Sequence, residues 1–317
     1  MRSFPWSGRQ HEGEKAQVDV IIPAHNAGAF IAETIASVAR QTRLPAKVIV
    51  VDDGSTDDTA AVVYACSRQY PQLGIRLVSQ RNAGVAAARN SGLRVATAPF
   101  VALLDADDLW EPAKLERQLD LMLQTAGERT GLIYCDYRVV DEHGKSGSEA
   151  RHIAPLLKGN AARRLMRGNL VSGSASAVLL RAEALHQVGL FDEELPVAED
   201  WDMWLRISRQ WEFDFVPEPL VCIRQHTQSM QRNRRKMVEG ELRLACKLWG
   251  RGQLSLFYWA GLTRRLQRNS VTLAALKLPP SQATPPLLFW PPLVRTTAAI
   301  VSLAIAFRRL LMGGRKA

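Results

Sequence analysis

Three carboxylates follow one apolar stretch of the chain within four residues. Residues 100–104 are Phe-Val-Ala-Leu-Leu, and Asp105, Asp107 and Asp108 come directly after them. Carboxylates this close raise the cost of ionising one another, and a divalent cation removes that cost. Mn²⁺ and Mg²⁺ prefer oxygen ligands and usually keep positions open for phosphate groups. Asp105 and Asp107 are therefore predicted to hold Mn²⁺ or Mg²⁺; a solvated acidic loop without an ion is the alternative.

A second acidic group lies about 90 residues further along, where residues 198–202 are Ala-Glu-Asp-Trp-Asp. An amphipathic helical pattern follows it. One of Glu199 and Asp200 could take the proton from an attacking hydroxyl as a general base. The alternative is a structural role, because acidic side chains at a helix start are stabilised by the helix dipole. His226 could complete a metal or diphosphate site, although a lone histidine is more often structural.

Further polar motifs end other predicted strands. The backbone and a flat side chain in residues 22–26, Ile-Pro-Ala-His-Asn, could border a base. A carboxylate in residues 51–55, Val-Asp-Asp-Gly-Ser, could accept the imide N–H of uracil or a ribose hydroxyl. Residues 82–92 combine Gly84 and several alanines, which permit close approach, with Arg89, which could face a base or a phosphate. Ordinary turns, helix capping and close helix packing are the alternatives for these motifs.

Strand-length apolar runs alternate with helical patterns from residue 18 to about residue 216. This alternation predicts an α/β fold with a mostly parallel central sheet flanked by helices. Open sheets of this kind place ligands at the carboxyl ends of their strands, where the motifs above lie. A helix is expected over 30–41, a second after Ser55 with an N-cap at Ser55 and Asp58, and a third over 84–96. Predicted strands are 18–23, 47–51, 76–80, 100–104 and 132–138.

The composition excludes several classes of protein. With 317 residues, 47% of them hydrophobic and 23% charged, the chain can bury a large core and is neither disordered nor fibrous. The four cysteines show no metal-binding spacing, which favours reduced thiols in a cytosolic protein. Residues 1–16 are polar and contain no apolar core of signal-peptide length. The net charge is +10, but from residue 224 to the end it is +15 (17 Lys and Arg, 2 Asp and Glu), which leaves −5 for the rest.

The basic C-terminal part predicts contact with an anionic surface. Six prolines between residues 279 and 292 prevent one long helix, and the uncharged run over 296–307 is shorter than the roughly 20 residues that span a bilayer. Apolar residues interleaved with arginine suit a segment in the headgroup region of anionic lipid. A helical subdomain packed on the rest of the chain is the alternative. We expect a polar segment over 1–16, a catalytic domain over 17–235 and a helical extension over 236–317.

Taken in order, these motifs resemble those of family 2 inverting glycosyltransferases with the GT-A fold. The resemblance covers about residues 18–229. It rests on Ile-Ile-Pro-Ala-His-Asn (21–26), Val-Asp-Asp-Gly-Ser-Thr-Asp-Asp-Thr (51–59), Asn-Ala-Gly (82–84), Ala-Arg-Asn-Ser-Gly (88–92), Leu-Asp-Ala-Asp-Asp (104–108) and Ala-Glu-Asp-Trp-Asp (198–202).

The resemblance implies a role for each matching residue. Asp200 would be the catalytic base, supported by Glu199. Asp107 would bind the metal on the diphosphate, and Asp105 would touch the ribose or a metal-bound water. His226 stays a candidate metal ligand on its residue type alone. The expected nucleotide-sugar-binding residues are Pro23, Ala24, His25, Asn26, Asp52, Asp53, Gly84, Arg89, Asp105 and Ala106. His25 departs from the tyrosine frequent at that place in the family, which affects nucleotide affinity rather than the reaction.

The expected activity is transfer of one sugar from a nucleotide-diphospho-sugar, first of all a UDP-sugar, to a glycan or lipid-linked glycan in cell-surface polysaccharide synthesis. Residues 228–232, Gln-Ser-Met-Gln-Arg, lack the Gln-x-x-Arg-Trp motif of processive members, which favours single-sugar transfer. Transfer to a polyprenyl phosphate is one alternative, and a polyanion-binding protein on an inactive scaffold is another. The expected location is the cytoplasmic face of the membrane, and no nucleic-acid partner is expected.

Overall fold

The structure is a computed structural model that describes residues 17–124, 129–145, 157–166, 168–171, 174–226 and 234–250. The chain divides into two compact units, Met1–Ser229 and Met230–Ala317. The first unit carries every strand described below, and the second carries one described helix. The predicted segment 1–16 and the expected membrane-binding run over 296–307 lie outside the described residues.

One sheet of eight strands organises the first unit, in the order β3-β2-β1-β4-β7-β6-β8-β5. Strands β3, β2, β1 and β4 are parallel to one another, as are β6 and β8, whereas β7 and β5 run antiparallel to their neighbours. The strands are β1 (Val18–Ala24), β2 (Lys47–Asp53), β3 (Arg76–Gln80), β4 (Phe100–Leu103), β5 (Leu109–Trp110), β6 (Thr130–Val140), β7 (Val178–Arg181) and β8 (Glu212–Arg224). The mostly parallel α/β sheet predicted from the sequence is confirmed.

Helices connect the parallel strands and cover the sheet. They are α1 (Ile31–Ala39), α2 (Thr59–Gln69), α3 (Val85–Val95), α4 (Lys114–Gln124), α5 (Ala162–Leu165), α6 (Ala182–Val188), α7 (Glu199–Ile207) and, in the second unit, α8 (Arg234–Gly250). Helix α1 buries Ile31, Ile35 and Val38, the apolar side that its sequence spacing predicts. Among the described residues, no helix is both long and apolar enough to cross a bilayer.

The contact between α3 and β1 requires a residue without a side chain. A Cβ added to Gly92 would lie 2.5 Å from Cγ2 of Ile21, which is fully buried in β1. Ala86, Ala87 and Ala88 of the same helix are buried as well. The small residues of this motif therefore pack α3 closely on the sheet, which is the structural alternative that the sequence left open.

Strand β8 is not among the strands that the sequence predicts, and Pro217 and Pro219 lie inside it. Proline removes an amide donor from a sheet ladder, so it normally marks an edge or a bulge. Strand β5 pairs with β8 only at Val221 and Cys222, and the register between β6 and β8 shifts near Pro219. The prolines thus lie where β8 is locally an edge and irregular, and β8 carries the chain onward to Arg224 and the site.

Candidate active site

Asp53 ends β2 and organises the turn that follows β3. Its Oδ1 atom accepts hydrogen bonds from Nε2 of Gln80 and the backbone N–H of Ala83, both at 2.8 Å. Its Oδ2 atom accepts from the N–H of Gly84, also at 2.8 Å. The φ angle of Gly84 is 92°. A residue with a side chain would be strained in this conformation, so the turn requires glycine here. A carboxylate offers about four lone-pair sites, so Asp53 still has acceptor capacity for a ligand.

The turns after β1 and β2 are tied together by side chains. Asp52 Oδ1 accepts from the N–H of Ser55 at 3.0 Å, and Ser55 Oγ accepts from the N–H of Asn26 at 2.9 Å. Asn26, with φ of 50°, accepts in turn from the N–H of Thr56 at 2.8 Å. The predicted N-cap at Ser55 is wrong: α2 begins at Thr59, and the Ser55 hydroxyl joins the two turns instead.

His25 lies exposed beside Asp53, at the edge formed by β1 and β2. Its Nδ1 atom is 2.9 Å from the backbone oxygen of Asp53, and Nδ2 of Asn82 lies 3.1 and 3.2 Å from the two ring nitrogens. Pro23 and Ala24, which precede His25 at the end of β1, are buried. The predicted nucleoside-side residues therefore share one edge of the sheet, as parallel strands with aligned carboxyl ends require.

Hydrogen bonds made by the buried residues Asp108 and Ser176 hold the acidic turn after β4 in place. Asp108 is 3% exposed; its Oδ1 accepts from the N–H of Arg224 at 3.0 Å and its Oδ2 from Oγ of Ser176 at 2.6 Å. Ser176 Oγ also accepts from the N–H of Asp105 at 3.0 Å. Burial, helped by Asp107 and Asp105, raises the pKa of Asp108 well above its usual value. Asp108 and Ser176 thus shape this turn, and no motif in the sequence pointed to Ser176.

Asp107 projects from the same turn and meets His226. Nε2 of His226 is 2.9 Å from Asp107 Oδ2, and Nε of Arg224 donates to the Asp107 backbone oxygen at 2.9 Å. The His226 ring packs on Phe30, with 4.7 Å between ring centroids. Burial raises the pKa of Asp107, and Asp105 adds to this, whereas His226 opposes it. Between the two aspartates, the buried Ala106 accepts a bond from Oγ1 of Thr34 at 2.8 Å through its backbone oxygen.

The donor set around Asp107 fits a divalent cation that a diphosphate helps to hold. Among the residues that the structure describes, no three His, Cys, Asp or Glu side chains form a group able to cage a metal ion. A carboxylate oxygen and an imidazole nitrogen 2.9 Å apart can nevertheless supply two ligands. Mg²⁺ and similar ions are commonly bound by one or two protein carboxylates, with water and substrate phosphate completing the shell.

Glu199 and Asp200 form the first turn of α7, so the helix begins at the acidic pair rather than after it. Ala198 precedes them in the left-handed region, at φ of 68°. Asp200 Oδ1 accepts from the N–H of Trp201 at 2.6 Å, and its Oδ2 accepts from Nδ2 of Asn169 at 3.1 Å. Burial raises the pKa of Asp200, while Arg89 opposes the shift and Asp105 adds to it. Asn169 is a site residue that sequence motifs did not indicate.

Arg89 connects the two acidic groups. Its Nη1 is 2.6 Å from Oε1 of Glu199 and its Nη2 is 2.8 Å from Oδ1 of Asp105, and the residue is 3% exposed. The guanidinium of Arg89 faces these carboxylates, and whether it also contacts a base or a phosphate stays a prediction. Burial raises the pKa of Glu199 to about 7 although Arg89 opposes this. Carboxylates distant in the sequence therefore lie in one place, and Asp107 belongs to the same turn as Asp105.

This sheet, with an acidic turn after β4 and an acidic helix start beside it, has the arrangement of the GT-A fold found in glycosyltransferases. Residues 19–189, more than half of the chain, match the family described as Glycosyl transferase family 2. The protein belongs to that family.

Similar proteins carry related descriptions. An uncharacterized glycosyltransferase of Rickettsia conorii is 31% identical over 213 residues, which are 67% of this chain and 34% of that protein, so the chain spans about a third of its length. The amylovoran biosynthesis glycosyltransferase AmsB of Erwinia amylovora is 28% identical over 265 residues, 82% of either chain.

Two solved structures share the fold. The 1–349 fragment of S. aureus TarS in complex with UDP-GlcNAc has a TM-score of 0.61 at 20% identity, covering 83% of this chain and 76% of that one. A mannosyltransferase of Pyrobaculum calidifontis in complex with GDP-Man and Mn²⁺ has a TM-score of 0.60 at 21% identity, covering 95% and 84%. The GT-A fold expected from the motifs is thereby confirmed.

Proposed function

We propose that the protein transfers one sugar, with inversion, from a nucleotide-diphospho-sugar to a hydroxyl of a glycan or lipid-linked glycan. The observation that carries this proposal is the convergence of Asp105, Glu199 and Asp200 around Arg89, next to Asp107. Similar structures bound to UDP-GlcNAc and to GDP-Man support a nucleotide-sugar donor.

Asp200 acts as the general base in this proposal. A single displacement at the anomeric carbon inverts its configuration, and the attacking hydroxyl must lose a proton as the bond forms. Asp200 Oδ2 is held by Asn169, and burial raises the pKa of the carboxyl, which brings it closer to the working pH. Glu199 keeps its bond to Arg89 and supports the first turn of α7.

Asp107 and His226 would hold Mn²⁺ or Mg²⁺, with Asp105 close to the ribose or to a metal-bound water. The cation, when bound, offsets the charge that develops on the leaving diphosphate. Mn²⁺ in the similar mannosyltransferase supports this assignment. His25, Asp52 and Asp53 would border the nucleoside at the edge of β1 and β2.

A phosphate-bearing, lipid-linked acceptor fits the segment around Asn169. Residues 151–176 include five basic residues and no acidic residue. The segment contacts the helix of the base twice, through Asn169 and through the Leu165 carbonyl, which accepts from Nε1 of Trp201 at 2.9 Å. Basic residues in a segment that contacts α7 would offset the repulsion that an anionic acceptor meets from the acidic residues. We propose the cytoplasmic membrane face as the location of this acceptor.

The test is a panel of nucleotide-sugars assayed with lipid-linked and soluble acceptors, with Mn²⁺ and with chelator. We expect Asp200→Asn to lower kcat by about 10² to 10⁴-fold, since general-base help is worth that much, while donor binding changes little. Calorimetric affinity for the nucleotide diphosphate is the control for donor binding. Unchanged turnover of Asp200→Asn would refute the base assignment. It would point to a polyprenyl phosphate acceptor, whose oxygen is already deprotonated.

A further inference from the structure

Arg89 occupies a position that joins the two halves of the site. Its two terminal nitrogens bond carboxylates that lie 16 and 110 residues away in the chain, at 2.8 Å from Asp105 and 2.6 Å from Glu199. Both bonds are charge-assisted, and the planar guanidinium fixes the direction of each. One rigid group therefore sets the distance between the turn after β4 and the start of α7.

The neighbouring residue of α3 reinforces this contact. The side chain of Asn90 makes two hydrogen bonds to the backbone of Phe191. Its Oδ1 accepts from the Phe191 N–H at 2.8 Å, and its Nδ2 donates to the Phe191 oxygen at 3.0 Å. The guanidinium carbon of Arg89 lies 5.6 Å from the Phe191 ring centroid, within cation–π range. Consecutive residues of α3 thus hold the segment leading into α7, so a displacement of α7 would break several contacts at once.

Arg89 is a buried cation, and a buried charge is costly unless it is paired. The residue is 3% exposed, and Nε has no hydrogen-bond partner among the described residues. Burial lowers the pKa of Arg89, but Asp105 and Glu199 together outweigh this and raise it, so its charge persists across the working pH range. The guanidinium is almost fully buried and its two described hydrogen bonds go to carboxylates, which indicates a role exerted through Glu199 and Asp105.

We propose that Arg89 is a positioning residue, which fixes Glu199, and with it the first turn of α7 that bears Asp200, against the turn of Asp105. This inference rests on the proposed function, because it concerns the reaction assigned to Asp200. Its consequence is that loss of Arg89 disturbs the alignment of base and donor without removing a contact to the donor itself.

The experiment compares Arg89→Met and Arg89→Lys with wild type in steady-state transfer and in calorimetric binding of nucleotide diphosphate with Mn²⁺. We expect Arg89→Met to lower kcat about 10²-fold, the cost of a displacement of about 1 Å in a reacting group. Nucleotide affinity should change less than about threefold, and Arg89→Lys should restore part of kcat. Arg94→Met is the matched control, because Arg94 lies on the same helix in an exposed ion pair with Glu193.

A double-mutant cycle that combines Arg89→Met with Glu199→Gln tests whether Arg89 acts through Glu199 or independently of it. If Arg89 acts through Glu199, the double variant loses no more kcat than the single Arg89→Met variant. Arg89→Met leaves the buried carboxylate of Glu199 without its ion pair, and the double variant removes that charge. If the single variant fails to fold, the double variant is therefore assayed in its place.

Three results would overturn the inference: wild-type kcat in folded Arg89→Met, a loss confined to nucleotide affinity, or losses that multiply in the double variant. Absence of transfer by the wild-type protein with every donor would instead overturn the proposed function, and the inference with it.

Discussion

Asp200 is the general base in the proposed reaction, and its hydrogen-bond partner Asn169 is exposed, so Asn169 can be replaced. Burial raises the pKa of this carboxyl, Asp105 raises it further, and Arg89 opposes both. Asn169 also opposes the rise by donating to Oδ2 at 3.1 Å. A base works only when deprotonated, so activity should fall on the acid side at a pH above the usual aspartate range. The observed value will belong to Asp200 and Glu199 together, because the two carboxyls are adjacent and interact.

Replacing Asn169 tests how the acidic limb of the pH profile is set. Asn169→Ala removes a donor that favours the charged carboxylate, so the pKa of Asp200 rises and the limb of kcat/KM moves to higher pH. The direction of the move follows because a hydrogen bond to the charged form favours that form, and its loss does the opposite. Asn160→Ala is the control, since Asn160 is exposed and bonds only the N–H of Ala162 among the contacts described. A limb that stays in place, or moves to lower pH, would contradict the contact between Asn169 and Asp200.

Strained backbone occurs next to these functional groups. The described non-glycine residues with positive φ are Asn26, Ser174 and Ala198. Asn26 joins the turns after β1 and β2, Ser174 precedes the short turn that carries Ser176, and Ala198 precedes Glu199. Such conformations cost about 1 to 3 kcal/mol each and persist where surrounding contacts determine them. They support the placement of the site at this edge of the sheet.

Residues 89–92 of helix α3 position several parts of the site. Arg89 reaches Glu199, Asn90 holds Phe191, and Ser91 donates to Oε1 of Gln80, whose Nε2 donates to Asp53. Gly92 then brings the helix close enough to β1 for these contacts. Four consecutive residues therefore connect both sides of the site to the sheet.

The close approach of α3 predicts a specific cost for Gly92→Ala. The added methyl group would lie 2.5 Å from Cγ2 of Ile21, so α3 must move outward or Ile21 must leave its position. Overpacking of this kind costs about 1 to 3 kcal/mol in the free energy of unfolding. Gly168→Ala is the control, because a Cβ there meets nothing within 4 Å. Denaturant unfolding measures both variants, and equal stability would show that α3 tolerates a wider spacing.

The sequence predicted the strands well where apolar runs end in polar motifs, as in β1, β2 and β4. These runs are buried on both faces, so their hydrophobicity is continuous and easy to read. It did not predict β5, with two residues, β7, or β8, whose prolines lie where β8 is locally an edge and irregular. The roles of Ser176 and Asn169 were also invisible, since each depends on contacts to residues 31 to 71 positions away. The contacts of Arg89 with Asp105 and Glu199 were likewise not predicted.

At the scale of the whole chain, charge separates the catalytic part from the C-terminal part. Residues 1–223 carry −5 and residues 224–317 carry +15. A negatively charged membrane would attract the second part and repel the first, which favours an orientation as well as a location. Basic residues near an anionic surface contribute about 1 kcal/mol each, and the attraction falls off within a Debye length.

Vesicle flotation tests this proposal. We expect the protein to bind vesicles that contain phosphatidylglycerol, to bind less as salt is raised, and to bind phosphatidylcholine vesicles weakly. Replacing Arg308 and Arg309 with glutamine should weaken partitioning by about 2 kcal/mol, roughly 30-fold, because two charges near the surface are lost. The control is a variant with the same change in net charge, Arg43→Gln with Arg117→Gln, where both arginines lie in exposed ion pairs of the first unit. Equal losses in the two variants would mean that net charge, rather than the C-terminal segment, drives binding, and no binding to either vesicle would reject the membrane proposal.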